Sequence, residues 1–295
     1  MYHYVRDPER SCYPRIKSRS VKEFSNQLDY FARHFTPVTA QEVIAACRGE
    51  YVLPPNAVWL TFDDGYLDHY ATVFPLLHDR GWQGSFFAPA RAVLEGKLLD
   101  VNKIHLLLAA VDNISKLVSE VRSEIGPAFE QLWSAYATAD SYDPAEVVFI
   151  KKILQQALPQ RDRTRIVDSL FARHISLDER AIASEFYMSP DQIRLMVRGG
   201  MFFGSHGYEH FWMNNLTAEE QWHEIRLSLD FLNAIGAATD DWVMCYPYGA
   251  YNQTLLETLK RCDCSLGLTT RSAVANVCRD TALELPRLDT NDFPI

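Results

Sequence analysis

The sequence predicts an α/β protein in which a parallel sheet, covered by helices, is interrupted by a long helical insertion. Three observations carry that expectation. Residues 58–63 and 84–89 are short apolar, β-prone runs on either side of an amphipathic stretch, and strand–helix–strand order implies parallel pairing. From about residue 100 to 185, apolar residues recur only at helical spacing. Strand-like runs then return near 200–206, 241–249 and 285–289, each ending in polar or turn-forming residues.

In chain order, Tyr2-His3-Tyr4-Val5 is a short β-prone run whose simplest reading is a frayed, exposed terminus. Ser20 with Glu23, and Thr39 with Glu42, are capping boxes that start two packing helices, the first carrying Phe24, Leu28, Phe31 and Phe35. Leu53-Pro54-Pro55 punctuates the chain before Val58-Trp59-Leu60-Thr61-Phe62-Asp63-Asp64-Gly65-Tyr66, a buried strand ending on two carboxylates and a glycine turn. A helix through Tyr70, Val73, Leu76 and Leu77 follows and closes at Arg80-Gly81, with His69 and His78 read as solvated or rim side chains. Gly84 to Pro89 is the second strand.

The stretch 100–185 is read as a helical insertion within a single domain spanning 1–295; such insertions usually build the substrate side, as a lid or a dimer surface. Nothing assigns a role to its His105 or His174. Ser189-Pro190 with Gln192 restarts the regular pattern, and Gly199-Gly200 stops that helix. Thr217 with Glu220 caps the next helix, for which Ile225, Leu227, Leu229 and Leu232 are the expected inward residues. Trp212 and Trp222 suit either stacking on a sugar ring or packing.

Composition narrows the function. The 295 residues include 47% hydrophobic ones and a net charge of −9, with pI near 5.5, which argues against nucleic acid or an anionic membrane surface as the main partner. No apolar run reaches the roughly 18 residues needed to span a bilayer. The opening Met1 to Asp7 has neither a basic n-region nor an apolar h-region, so a cytoplasmic location is expected. Cys12, Cys47, Cys245, Cys262, Cys264 and Cys278 form no paired framework and are read as thiols.

The chemistry concentrates in two motifs. Adjacent Asp63 and Asp64 point to opposite sides of a regular strand, so at a strand end they can serve one cleft in two roles, one on a metal and one on a proton. Taken alone, Asp63-Asp64-Gly65 reads as an Asx turn. Gly204-Ser205-His206-Gly207-Tyr208-Glu209-His210 changes that balance, because histidines four apart place both imidazoles on one side of a helical turn. Two imidazoles and a carboxylate suit a divalent ion, and three protein ligands leave a position open. Asp64, His206 and His210 form the expected metal set.

Thr61-Phe62-Asp63-Asp64-Gly65, Ser205 to His210, and Tyr246-Pro247-Tyr248-Gly249 together resemble the polysaccharide deacetylases, the family 4 carbohydrate esterases. The resemblance implies a distorted (β/α) barrel and a metal-dependent deacetylase with Asp63 as base and Asp64, His206 and His210 on one divalent metal, zinc foremost, with iron, cobalt or nickel as substitutes. It assigns a backbone oxyanion donor to Tyr248. The Tyr2-His3 pair resembles the circularly permuted branch acting on poly-N-acetylglucosamine, which makes His3 the candidate general acid. Where the family carries an arginine two residues before Pro247, this chain has Cys245. Arg287 is then the candidate to reach Asp63, and Asp289 the candidate to steady His3.

The expected reaction is removal of an N-acetyl or N-formyl group from an amino sugar. A chain without an export signal points to a nucleotide- or lipid-linked precursor in surface-polysaccharide (lipopolysaccharide or O-antigen) synthesis, and a finished glycan is the other substrate class. Two other classes stand against this reading: a silent carbohydrate-binding protein, since Cys245 breaks one motif, and a metal-dependent O-acetyl esterase. A homo-oligomer is compatible with all three.

Overall fold

The apolar runs become very short strands, and the sheet they build is buried on both faces. The computed structural model describes residues 1–10, 12–140, 143–176 and 178–295. β1 (Thr36–Pro37) and β2 (Ala57–Val58) pair in parallel as a separate ribbon. β3 (Thr61–Asp63), β4 (Ser85–Ala88), β5 (Phe202–Ser205), β6 (Val243–Cys245) and β7 (Leu266–Leu268) form one parallel sheet in sequential order. Every residue of these five strands is buried, the pattern expected of parallel strands covered by helices.

Single bridges extend the sheet at both edges, Tyr2 beside Phe62 and Leu285 beside Leu268. The Met1 nitrogen donates to the Leu288 carbonyl at 2.6 Å, so the segments flanking those bridges meet. The result is the curled sheet with surrounding helices expected of a distorted (β/α) barrel. Its register stacks aromatic rings across neighbouring strands: Phe62 lies 4.9 Å from Phe86, and Phe86 lies 5.3 Å from Phe203.

Contacts divide the chain into two compact units, residues 1–7, 18–97 and 183–295 in one and residues 8–17 and 98–182 in the other. The sheet lies wholly in the first. The second is helical, with Asp100–Ala110, Ile114–Ile125, Ala145–Lys152 and Gln160–His174 around a core that includes Ile104, Leu107, Leu117, Phe149 and Leu170.

Local chemistry explains the helix starts. Ser20 with Glu23, Thr39 with Glu42, Ser189 with Gln192 and Thr217 with Glu220 each make both bonds of a capping box. Two expectations need correction. The helix Ala218–Ala234 buries Gln221, Glu224, Ile225, Ser228, Phe231 and Leu232, a true 3.6-residue stripe, whereas Leu227 and Leu229 are only half-buried. The helix after Gly65 opens as one π-turn, His69–Val73, before Phe74–His78, because Pro75 has no N–H for the regular ladder. His78 is exposed on it, but His69 is completely buried, not a rim residue.

Candidate active site at the strand ends

The site is built where β3, β5 and β6 end. Asp63 is the last residue of β3, and then Asp64 (φ 73°) and Gly65 (φ 68°) both take the left-handed conformation. This double turn brings two neighbouring carboxylates into one cluster with separate partners. Gly65 is required there: a Cβ would lie 2.6 Å from the Ala88 Cβ, on a backbone that already favours glycine.

Asp63 is held by Arg287, which arrives from the segment after β7. Nη1 donates to Oδ1 at 2.9 Å and Nη2 to Oδ2 at 2.7 Å, a bidentate pair with both side chains buried. Nη1 also reaches Thr61 Oγ1 at 3.2 Å, and Nε donates to the Thr269 carbonyl at 3.0 Å, so the guanidinium is fixed before it meets the carboxylate. Burial opposes ionisation of Asp63, but Arg287 outweighs it and holds the carboxyl below the usual carboxylate range.

Asp64 faces the other way. Its Oδ1 lies 3.4 Å from His206 Nε2 and 3.3 Å from His210 Nε2, and Oδ2 accepts from the Tyr66 hydroxyl at 2.7 Å. Burial pushes against its charge, and the two imidazoles overcome that, holding it well below the ordinary value. His206 follows directly on β5, and its Nδ1 lies 2.7 Å from the Cys245 carbonyl at the end of β6. A carbonyl only accepts, so Nδ1 carries a proton, and Nε2 is the ring nitrogen turned to the cluster and available to an ion.

The two histidines do not sit on a helical turn. The chain after Ser205 runs as a loop, and His210 reaches the cluster because it adopts φ 62°. Glu224 anchors that loop: one carboxylate oxygen accepts from the Tyr208 and Glu209 amides, both at 2.9 Å. Burial pushes Glu224 up to about 7 against these two donors. Sequence reasoning missed Glu224 and Tyr66, though Glu224 falls on the buried helical stripe and Tyr66 directly follows the turn.

Of the remaining candidates, His3 is exposed between buried Tyr2 and Tyr4 and lies close enough for its charge to act on Asp63 and Asp64. Asp289 is not brought to it: that carboxylate accepts from the Asn291 amide and side chain at 2.9 and 2.6 Å, capping Thr290–Asp292. Tyr248 (φ 58°) sits in the Pro247–Gly249 turn, its ring 4.7 Å from His210. Trp212 stacks on Tyr248 at 4.5 Å, so one of its faces is already covered, whereas Trp222 is exposed. Cys245 lies beside Asp63 and His206, and burial pushes its thiol up.

The donor set fits a divalent ion. One atom each from Asp64, His206 and His210 lie within 4.8 Å of one another, all three residues are buried, and one imidazole tautomer is fixed by its outer hydrogen bond. An oxygen and two nitrogens suit zinc or another borderline first-row ion better than a hard cation such as calcium.

At the ends of its parallel strands the sheet thus carries an arginine-held carboxylate beside an Asp-His-His set. Residues 158–267 match the polysaccharide deacetylase family model. A stretch of 48 residues is 46% identical to the poly-beta-1,6-N-acetyl-D-glucosamine N-deacetylase of Escherichia coli (strain K12), covering 16% of this chain and 7% of that protein. In fold, the chain is similar to IcaB from Ammonifex degensii, with TM-score 0.59, 22% identity and 99% and 91% of the two chains covered. It is also similar to the Streptococcus pyogenes deacetylase PplD solved with acetate, with TM-score 0.60, 18% identity and 98% and 89% coverage.

Proposed function

We propose that this chain is a metal-dependent hydrolase that removes an N-acetyl or N-formyl group from an amino-sugar glycan or from its nucleotide- or lipid-linked precursor. The observation that carries the proposal is the division of labour between adjacent carboxylates. Asp64 turns one oxygen to two imidazoles, while Asp63 is withheld from that cluster by a bidentate arginine.

Asp64, His206 and His210 would hold the ion, with zinc the first choice. When bound, the ion supplies Lewis acidity toward the amide carbonyl. Asp63, ionised and oriented by Arg287, accepts the proton of the attacking water. The Tyr248 amide, in its left-handed turn beside His210, donates to the oxygen on which charge develops. His3 protonates the departing amine, a task that suits imidazole near neutral pH.

The test pairs metal content with amine release from N-acetylglucosamine oligomers and from a nucleotide-linked N-acetyl sugar. Wild type should hold about one first-row metal ion per chain and His206→Ala should lose it. Asp63→Asn should keep the metal and lose at least ~100-fold in turnover. Metal-free wild type after reconstitution, or a metal-bound protein that hydrolyses acetyl esters and no amides, would overturn the proposal.

A further inference from the structure

The segment carrying His3 has little sheet to hold it. Tyr2 makes one rung with β3, its amide donating to Thr61 and its carbonyl accepting from Asp63, both at 2.9 Å. The next backbone pairing is at Val5 with Arg19. Between them β3 has ended, and Asp64 has turned away, so His3 has no strand neighbour there.

Two residues of the turn after Gly65 fill that gap. His69 Nε2 lies 2.9 Å from the His3 carbonyl, and Asp68 Oδ2 accepts from the Val5 amide at 3.2 Å and from Arg6 Nε at 2.7 Å. The His69 ring is wedged among Phe62, Tyr66 and Phe86, 5.6–5.7 Å between centroids. Its other nitrogen, Nδ1, is buried with no hydrogen-bond partner among the described residues.

That orphaned nitrogen is informative. A phenylalanine would suit the aromatic box and avoid an unpaired buried polar atom, which costs about 1–3 kcal/mol. What histidine adds is a donor at Nε2 aimed at the His3 backbone, since the carbonyl only accepts. Burial pushes His69 down to about 4, which keeps it a neutral, single-proton donor near neutral pH.

We infer that His69, assisted by Asp68, is a positioning residue: it fixes the backbone of His3 and so holds the exposed imidazole in the neighbourhood of the two carboxylates. This rests on the reading of His3 as the acid. Because His69 acts through His3, its loss should matter only while His3 is present. His69→Phe should lower kcat by roughly 10-fold with KM little changed, a fraction of the effect of a 1 Å misplacement. In a His3→Ala background the same substitution should cost less than about 2-fold, because residues in one network are not additive.

His69→Gln, whose amide nitrogen reaches about as far as Nε2, should recover most of the activity and controls for folding. A second readout is independent of turnover: in metal-free protein, the His3 imidazole NMR signals should broaden or split in His69→Phe and return in His69→Gln. Equal losses with and without His3, or unchanged His3 signals in a folded His69→Phe, would overturn the inference. A wild type without amidase activity but with altered His3 signals in His69→Phe would sink the enzymatic reading and leave the clamp intact.

Discussion

Replacing Arg287 with Ala should damage this protein in a way that a second substitution repairs. The guanidinium makes four donor contacts, two of them to Asp63, and the two side chains are 6% and 3% exposed. Removing it leaves a buried carboxylate without its counter-charge, and breaking such a pair costs about 3–5 kcal/mol. At about 2–4 °C per kcal/mol for a unit of this size, the melting temperature should fall by about 6–20 °C.

Most of that loss comes from the stranded charge, not from the missing attraction. Asp63→Ala on top of Arg287→Ala should therefore restore a large part of the stability, and the double variant should fall well short of the sum of the single losses. Arg287→Lys should lie between, keeping a charge and losing the second parallel bond. The assay is thermal unfolding of five proteins, wild type, the two Ala single variants, the double variant and Arg287→Lys, in one buffer containing a chelator, so that metal does not contribute. Strict additivity, or a melting temperature unchanged in Arg287→Ala, would refute the reasoning.

Two further outcomes follow from the same geometry. Tyr66→Phe deletes the hydroxyl on Asp64 Oδ2 and leaves a buried oxygen free, so metal affinity should weaken by about 10–100-fold with the fold retained, measurable by competition with a chromophoric chelator. Glu224 has its folded pKa pushed up to about 7, above the roughly 4.3 of an unfolded chain, so its contribution to stability is full below about pH 4 and is lost as pH rises through 7. Glu224→Gln should flatten that decline when melting temperatures at pH 5 and pH 8 are compared, and an unchanged slope would count against a buried, reluctant acid.

Local chemistry made much of this readable in advance. The four capping boxes, the glycine stop after Arg198 and the strand ending in Asp63 depend on residues within a few positions of one another, and the structure follows them. What was not legible depends on distance or on backbone hand. Spacing suggested a helical turn for His206 and His210, whereas a left-handed φ at His210 does that work, and no side-chain pattern announces it. His69 looked like a polar residue on a surface helix, because the aromatic box that buries it is assembled from β3, β4 and the turn. Arg287 was named from a vacancy in a motif, but its four contacts draw on β3 and on the residue after β7, a coincidence that only folding creates.

Asp64, His210 and Tyr248 share one trait: each is a non-glycine residue with positive φ. For an L-residue that conformation costs about 1–2 kcal/mol, less for Asp and His than for Tyr. Glycine at any of the three would relax the chain, and under selection for durability alone glycine would prevail there. The backbone around the cluster is thus a record of compromise, in which thermal robustness has been exchanged for chemistry, and a search for hardier variants should leave these three positions alone.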